Sequence, residues 1–500
     1  MSNEKSKLAL FFLLLLVFVT AAAEDSIYSR GCRRGTPRPQ NQLLRRSTAQ
    51  TRLPGGDFYT GNRHQLVVLA AYPDCQFKGD SLATLQQWNK IFNTEGYQGE
   101  GLTGSFHDYF YAQSYGKFNL TFDLQYLTLP GNRIKYCSTG RYGDDENSQY
   151  LVNDVVDILM KRDINWSLYD WNGDGYVNQL MILFAGKAQN AGGDNYTIWA
   201  HQWWLSERWK DRTSEYCSAR TLTNSYDGKP YIVDCYCALS ELGEAGDYSS
   251  FGVICHEYTH CFGFPDFYYD GNYKTPDSWD IMDRGYYYSQ AFCPVSYSAH
   301  ERWLMGWLTP TELTSASTVT AMPALSEQPV AYLIRNDGYE QEYYMVENRQ
   351  KSGWDAQLPG SGLIIFHVDF DAGIWTGTKG GAANPGTNDR YRIFAANNLS
   401  HYDYNYGWAY PYAGNNGLTN ESSPAATLLH ANTDGSMLMS KPITNMLVTN
   451  GIASFDFMGG ASSVAPLSTD LSSPFTVLYD IGPVRIVRMP NGEIKKVMKR

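Results

Sequence analysis

The sequence predicts an α/β unit reaching to about Pro310, followed by a β-rich region. Three observations predict this. Continuous apolar runs such as "LVVLAA" and "LMILFA" stop at turn residues, the pattern of strands buried on both faces. Segments with helical spacing and start signals lie between them, and strands alternating with helices argue for an α/β layer architecture. Beyond Pro310 the pattern changes to short strands separated by Gly and Asn turns.

Taken in order, "MSNEKSKLALFFLLLLVFVTAAAEDS" opens with Lys5 and Lys7, runs apolar from Leu8 to Val19 and reaches Ala21, Ala22 and Ala23. Residues 1–23 therefore read as a secretory signal peptide, too short for a spanning helix of roughly 20 apolar residues. Residues 24–60 read as a pro-segment rich in Arg, Pro and Gly, poorly ordered alone. In the unit expected over 61–310, "RHQLVVLAAYPD" is a buried strand, and "DSLATLQQWNKIFN" and "GSFHDYFYAQSYG" are helices with Asp80 and Ser105 as N-caps. "FNLTFDLQYLTLP" alternates as a strand, "QYLVNDVVDILMKR" is helical, and "YVNQLMILFAG" is a further buried strand. The β-rich domain is expected over 311–460, carried by "PVAYLIRNDG", "QEYYMVENRQ" and "SGLIIFHVDF". Residues 461–500 begin as a Ser-rich linker and end in strand-like pieces. These weakly resemble the C-terminal sorting domains of type IX secretion, against an appended β-hairpin.

The net charge of -11 is unevenly spread. Seven arginines against Glu24 and Asp25 give residues 24–52 a charge of +5, and residues 1–23 carry +1, leaving -17 for residues 53–500. An acidic body argues against nucleic acid as a partner. Nine cysteines in an exported chain suggest disulfides with one thiol left over.

The chemistry concentrates in "VICHEYTHCFGFPD". Ser249 or Ser250 can cap a helix that stops near Gly263, a residue suited to a helix C-terminus. On that helix His256 and His260 lie one turn apart on one face, so both imidazoles reach a single ion. Glu257 projects about 100° round the axis, where it can take a proton from a water whose pKa zinc lowers towards ~7. Gly263 lets the chain turn, and Asp266 then returns a third ligand, against its plainer reading as a turn residue. Two histidines and one carboxylate leave the fourth zinc position open, as in catalytic sites. Met282, in "SWDIMDRG", sits as the methionine turn of metzincins does beneath the metal.

These blocks resemble the immune inhibitor A-type family of secreted bacterial zinc metallopeptidases. The resemblance rests on "LVVLAAYPD", "FHDYFYAQSYGKFNL", "DWNGDGYVNQLMILFAG", "IWAHQWW", "FGVICHEYTHCFGFPDFY", "SWDIMDRG", "SYSAHERWLMGWLTP", "EYYMVENRQ" and "LPGSGLIIFHVD", in that order over about Gln65 to Asp371. It implies a metzincin-like α/β domain, zinc on His256 and His260, Glu257 as general base, Asp266 at the end of the long motif and Met282 in the methionine turn. One position departs: Arg284 stands where some metzincins carry an oxyanion-stabilising tyrosine. Tyr286, Tyr287 and Tyr288 are candidates to replace it, against ordinary packing for each.

Other features carry two readings. Asp170, Asn172 and Asp174 in "DWNGDGYVN" alternate as oxygen ligands beside Gly175, but Met181 stands where an EF-hand needs Glu. A partial calcium loop and a plain turn both remain. His201 either lines the cleft or ligates metal, against the plainer reading of a histidine hydrogen-bonded between aromatic neighbours. Glu241, Glu244 and Asp247 either form a solvated loop or make the cleft approach acidic.

The expectation is a secreted zinc endopeptidase acting on protein or peptide substrates, with no stable membrane span; the sequence is silent on oligomeric state. Two other classes stay open: a catalytically silent surface binding protein on the same scaffold, and a carbohydrate-active enzyme using paired carboxylates. Cys32, in "RGCRRG", adds a latency hypothesis, because neighbouring arginines favour a thiolate and a thiolate can fill the open zinc position. A precursor carrying Cys32→Ser should then cleave substrate before any processing. If it is as silent as the unmodified precursor, the segment acts by occlusion or not at all, and Cys32 is a disulfide partner or an inert thiol.

Overall fold

The computed structural model describes residues 59–137, 147–207, 217–268, 274–375, 389–460, 476–481, 484–488 and 494–498. The expected leader over 1–23, most of the segment read as a pro-segment over 24–60, and Cys32 lie outside the described residues.

The first sheet has the order β2-β1-β4-β8-β5. Strands β1 (Gly61–Ala71), β2 (Phe118–Thr128), β4 (Leu180–Lys187) and β8 (Cys235–Leu242) are parallel, and β5 (His201–Trp204) runs antiparallel at the edge. Residues Leu66–Ala71 are all buried, as expected of a parallel strand covered on both faces. The short strands β3 (Tyr176–Val177), just before β4, and β6 (Arg220–Thr223) and β7 (Pro230–Val233), between β5 and β8, form a small second sheet.

Helix α1 (Ser81–Asn93) is capped by Asp80, whose carboxylate accepts from the Ala83 N–H. Helix α2 (Phe106–Gln113) begins with the full capping box of Ser105 and Asp108. Helix α3 (Ser148–Leu159) precedes β3, and α4 (Phe251–Cys261) follows β8 and packs on it. Helix α4 departs from expectation at its start. Ser250 occupies the N-cap, but its hydroxyl donates to the Glu241 carbonyl and leaves the helix without a side-chain cap. The helix is held by burial instead: nine of its eleven residues are buried, and Tyr258 donates to Gln65 Oε1 at 2.8 Å. Gly252 allows a close approach, since a Cβ there would lie 2.1 Å from the Tyr286 carbonyl oxygen. Helix α5 (Ala299–Leu304) has its own capping box, Ser298 with Glu301.

The β-rich region supplies a five-stranded mixed sheet, β14-β13-β12-β11-β9, made of β9 (Thr311–Glu312), β11 (Tyr332–Asn336), β12 (Tyr339–Arg349), β13 (Gly362–Asp369) and β14 (Tyr391–Ile393). A three-stranded sheet of β10 (Ser317–Met322), β15 (Ile443–Thr449) and β16 (Ile452–Phe457) accompanies it. Strands β17 (Thr476–Ile481), β18 (Val484–Arg488) and β19 (Ile494–Met498) form an antiparallel sheet.

Strands β12 and β13 divide their side chains between two cores. Tyr343, Met345, Ile364 and Phe366 join the core of the α/β unit, while Tyr344, Val346, Leu363 and Ile365 join a second core with β10, β15 and β16. The core built on the α/β unit therefore continues across Pro310. Arg349 lies at this junction, fully buried. Its Nε and Nη2 grip both oxygens of Asp355 at 2.8 Å, and Nη1 meets Glu347 at 3.0 Å. The remaining donors reach the carbonyls of Trp279 and Ser296 at 3.2 Å each, so the guanidinium is satisfied without water.

Among the described residues, Cys75, Cys237, Cys255, Cys261 and Cys293 form no disulfide, against the expectation of pairing. Four of these, Cys237, Cys255, Cys261 and Cys293, are buried in the main core, where they pack as small apolar side chains.

Candidate metal centre

Helix α4 presents His256 and His260 one turn apart, their ring centroids 4.8 Å from each other. The chain then reverses at Gly263, whose φ of +101° is open to glycine and costly for other residues. The reversal brings Asp266 back so that its Oδ1 lies 3.3 Å from Nε2 of both imidazoles. One donor atom from each residue falls within a 4.8 Å group, the only such group of three His, Cys, Asp or Glu among the described residues. Asp170, Asp174, His201 and the buried cysteines form no second one.

Two backbone carbonyls orient the imidazoles. Nδ1 of His256 donates to Ile281 O at 2.8 Å, and Nδ1 of His260 donates to Phe264 O at 2.7 Å. With the proton on Nδ1, the Nε2 lone pair of each ring faces Asp266, the tautomer a cation requires. Nε2 of His256 and Oδ1 of Asp266 are buried without a well-formed hydrogen bond. Such atoms are costly unless something else meets them, and two imidazole nitrogens with one carboxylate oxygen form a donor set suited to zinc. The residues fit the metal.

Charge at the site follows the same logic. Burial opposes ionisation of Asp266, yet the facing imidazoles hold its carboxyl well below the usual range. Burial also disfavours a charged His260, but Asp266 outweighs it and pushes the imidazole up to about 9. The cavity between the three side chains is built for positive charge. Glu257, nearly fully buried, adds its negative charge to the field at His260.

Met282 is fully buried in the turn that follows, where its N–H donates to Asp280 Oδ1 and its carbonyl accepts from the Phe267 N–H. That last bond ties the segment carrying Asp266 to the turn whose Ile281 carbonyl orients His256. Arg284 reaches Asp277 at 3.6 Å. Tyr286 is buried with its ring centroid 4.3 Å from that of His256, and Tyr287 packs against Tyr286 in a tilted pair with centroids 4.0 Å apart. The side chain of Tyr288 lies outside the described residues.

The remaining candidates fall elsewhere. His201 donates from Nδ1 to Trp199 O at 2.7 Å and its Nε2 accepts from the Tyr236 hydroxyl at 3.2 Å, an arrangement among aromatic neighbours. In the Asp170 loop, Asp170 accepts from the N–H groups of Gly173, Asp174 and Gly175, and Asn172 donates to Asp174, so the turn is closed by its own hydrogen bonds. Glu241 is no acidic lip. It is buried, and its two oxygens accept from the N–H groups of Lys78 and Gly186 at 3.0 Å each, stitching the strand ends together. Glu244 is exposed. Sequence reasoning missed the two orienting carbonyls, which have no residue signature, and the packing of Tyr286 on His256.

A buried helix carrying two imidazoles, closed by a returning carboxylate, makes a candidate metal site. The profile described as "Immune inhibitor A peptidase M6, catalytic domain" matches residues 85–304, which include all of these groups. Immune inhibitor A of Bacillus thuringiensis subsp. alesti is 28% identical, over 44% of this chain and 36% of that protein. Pre-pro-metalloprotease PrtV of Vibrio cholerae serotype O1 (strain M66-2) is 24% identical, over 39% of this chain and 23% of that one. The chain thus spans about a third or less of the curated relatives it matches. Residues 85–304 are thus similar to the catalytic domain of the immune inhibitor A-type metallopeptidases. Among the described residues, no helix is long and apolar enough to cross a membrane.

Proposed function

We propose that the chain is a secreted zinc-dependent endopeptidase that hydrolyses peptide bonds of extracellular proteins, built on a metzincin-like domain over 61–310 with a β-rich domain over 311–460. The observation that carries this reading is the convergence of His256, His260 and Asp266, each imidazole oriented by a backbone carbonyl. Zinc held by these three would supply Lewis-acid polarisation of the scissile carbonyl and acidification of water. Glu257 takes the proton of the attacking water and returns it to the leaving amine, the work of a general base that becomes a general acid. His256 and His260, fixed by Ile281 and Phe264, would present their Nε2 atoms to the metal. Secretion rests on the leader-like residues 1–23. Calcium at Asp170, Asn172 and Asp174 is not needed for any of these roles.

The test is cleavage of casein or gelatin by the purified mature chain, with and without a chelator. Activity is expected to vanish on chelation and return with zinc. Cleavage that survives complete metal removal would favour a metal-free peptidase. Absence of any cleavage by zinc-loaded chain would favour the silent binding scaffold.

A further inference from the structure

The ligands of the proposed metal site lie on two segments, α4 with its Gly263 turn and the irregular stretch that runs from it to Phe267. Both lean on the turn at 279–283. That turn is gripped from outside the family-matched residues 85–304. Arg349 holds the Trp279 carbonyl, and Asn405 Nδ2 reaches Asp277 Oδ1 at 3.1 Å. The third grip comes from Tyr391 on β14, which is fully buried.

The geometry points to Tyr391 as a positioning residue for the metal ligands, through which the β-rich region completes the site. Its hydroxyl donates to Asp280 Oδ2 at 3.1 Å and lies 2.8 Å from Ser298 Oγ, which makes Ser298 the donor to Tyr391. The other oxygen of Asp280 accepts from Met282 N–H at 2.8 Å, so the carboxylate sets the turn's curvature. Ile281, between these two residues, presents the carbonyl that orients His256. The Tyr391 ring also packs on Phe267 with centroids 4.4 Å apart, and Phe267 is the neighbour of Asp266. One side chain therefore supports two of the three ligands, each from one residue away. Groups that orient metal ligands in this indirect way typically contribute about 10- to 100-fold in metal affinity or activity.

This inference rests on the metal-site reading above, and the experiment separates the two. Zinc affinity of the full mature chain is measured by competition with a chromophoric chelator, alongside kcat, KM and the melting temperature of the metal-free form. Tyr391→Phe deletes only the hydroxyl and is expected to weaken zinc binding by about 10-fold or more, lowering kcat with KM unchanged. Phe267→Leu keeps the hydroxyl, removes the ring beneath it and should weaken zinc in the same direction. Tyr344→Phe serves as control, because its hydroxyl bonds Thr427 O in the second core, far from the turn. It should lose stability without losing zinc affinity. If Tyr391→Phe and Phe267→Leu both bind zinc as tightly as the unmodified chain, or if Tyr344→Phe weakens zinc equally, the positioning role is wrong. If the unmodified chain itself holds no zinc, the site reading fails and the inference with it.

Discussion

Glu257→Gln is expected to leave zinc content near one per chain while peptide-bond cleavage falls by about 10² or more, the scale of a general acid/base contribution. Glutamine matches the shape of glutamate in a site that is almost fully buried, so the fold and the two flanking histidines should be undisturbed. It cannot accept a proton. The loss should appear in kcat, because the amide still fills the space beside the substrate. Metal analysis and steady-state kinetics on the same preparation check this. Near-normal turnover by the glutamine variant would remove Glu257 as the base and return the role to another group.

Much of this site was legible because its chemistry is local. Two histidines at helical spacing, a glycine turn and an aspartate lie within eleven consecutive residues, so one helix and one reversal assemble the ligands. The strands of the first sheet were legible for a similar reason: "LVVLAA" and "LMILFA" are apolar on both faces because helices and neighbouring strands cover both. What escaped depends on contacts distant in sequence. The apolar run Tyr343–Val346 belongs to one strand serving two cores, a division that no residue pattern distinguishes from an ordinary buried strand. Ile281 and Phe264 act through carbonyls, which every residue has. Tyr391 looks like one tyrosine among 38 until β14 places it against Asp280 and Phe267. The number of cysteines suggested pairing, whereas the burial of Cys237, Cys255, Cys261 and Cys293 in the core gives these four a packing role that needs no bond.

Asp266→Ala is expected to lower zinc affinity by more than about 100-fold, exceeding the effect of any outer support because a ligand itself is removed. The geometry makes the case: one oxygen of Asp266 sits 3.3 Å from both imidazole nitrogens, so its removal leaves only two donors facing the same point. Two neutral imidazoles supply no charge to offset that of a dication. Asp266→Asn separates the two contributions, since it keeps an oxygen at the site but not the charge, and should fall between the unmodified chain and the alanine variant. The fold should persist in both, because Phe267 N–H still bonds Met282 O and Gly263 still turns the chain. Chelator competition gives the affinities, and anomalous diffraction at the zinc edge identifies the remaining ligands. Full zinc retention by Asp266→Ala, with another side chain in the third position, would show that the reversal at Gly263 serves to pack Phe267 and not to bring a ligand. The same titration distinguishes this residue from Glu257: the glutamine variant should hold zinc and fail to cleave, whereas the alanine variant should fail because it cannot hold zinc, and should recover part of its activity as free zinc is raised.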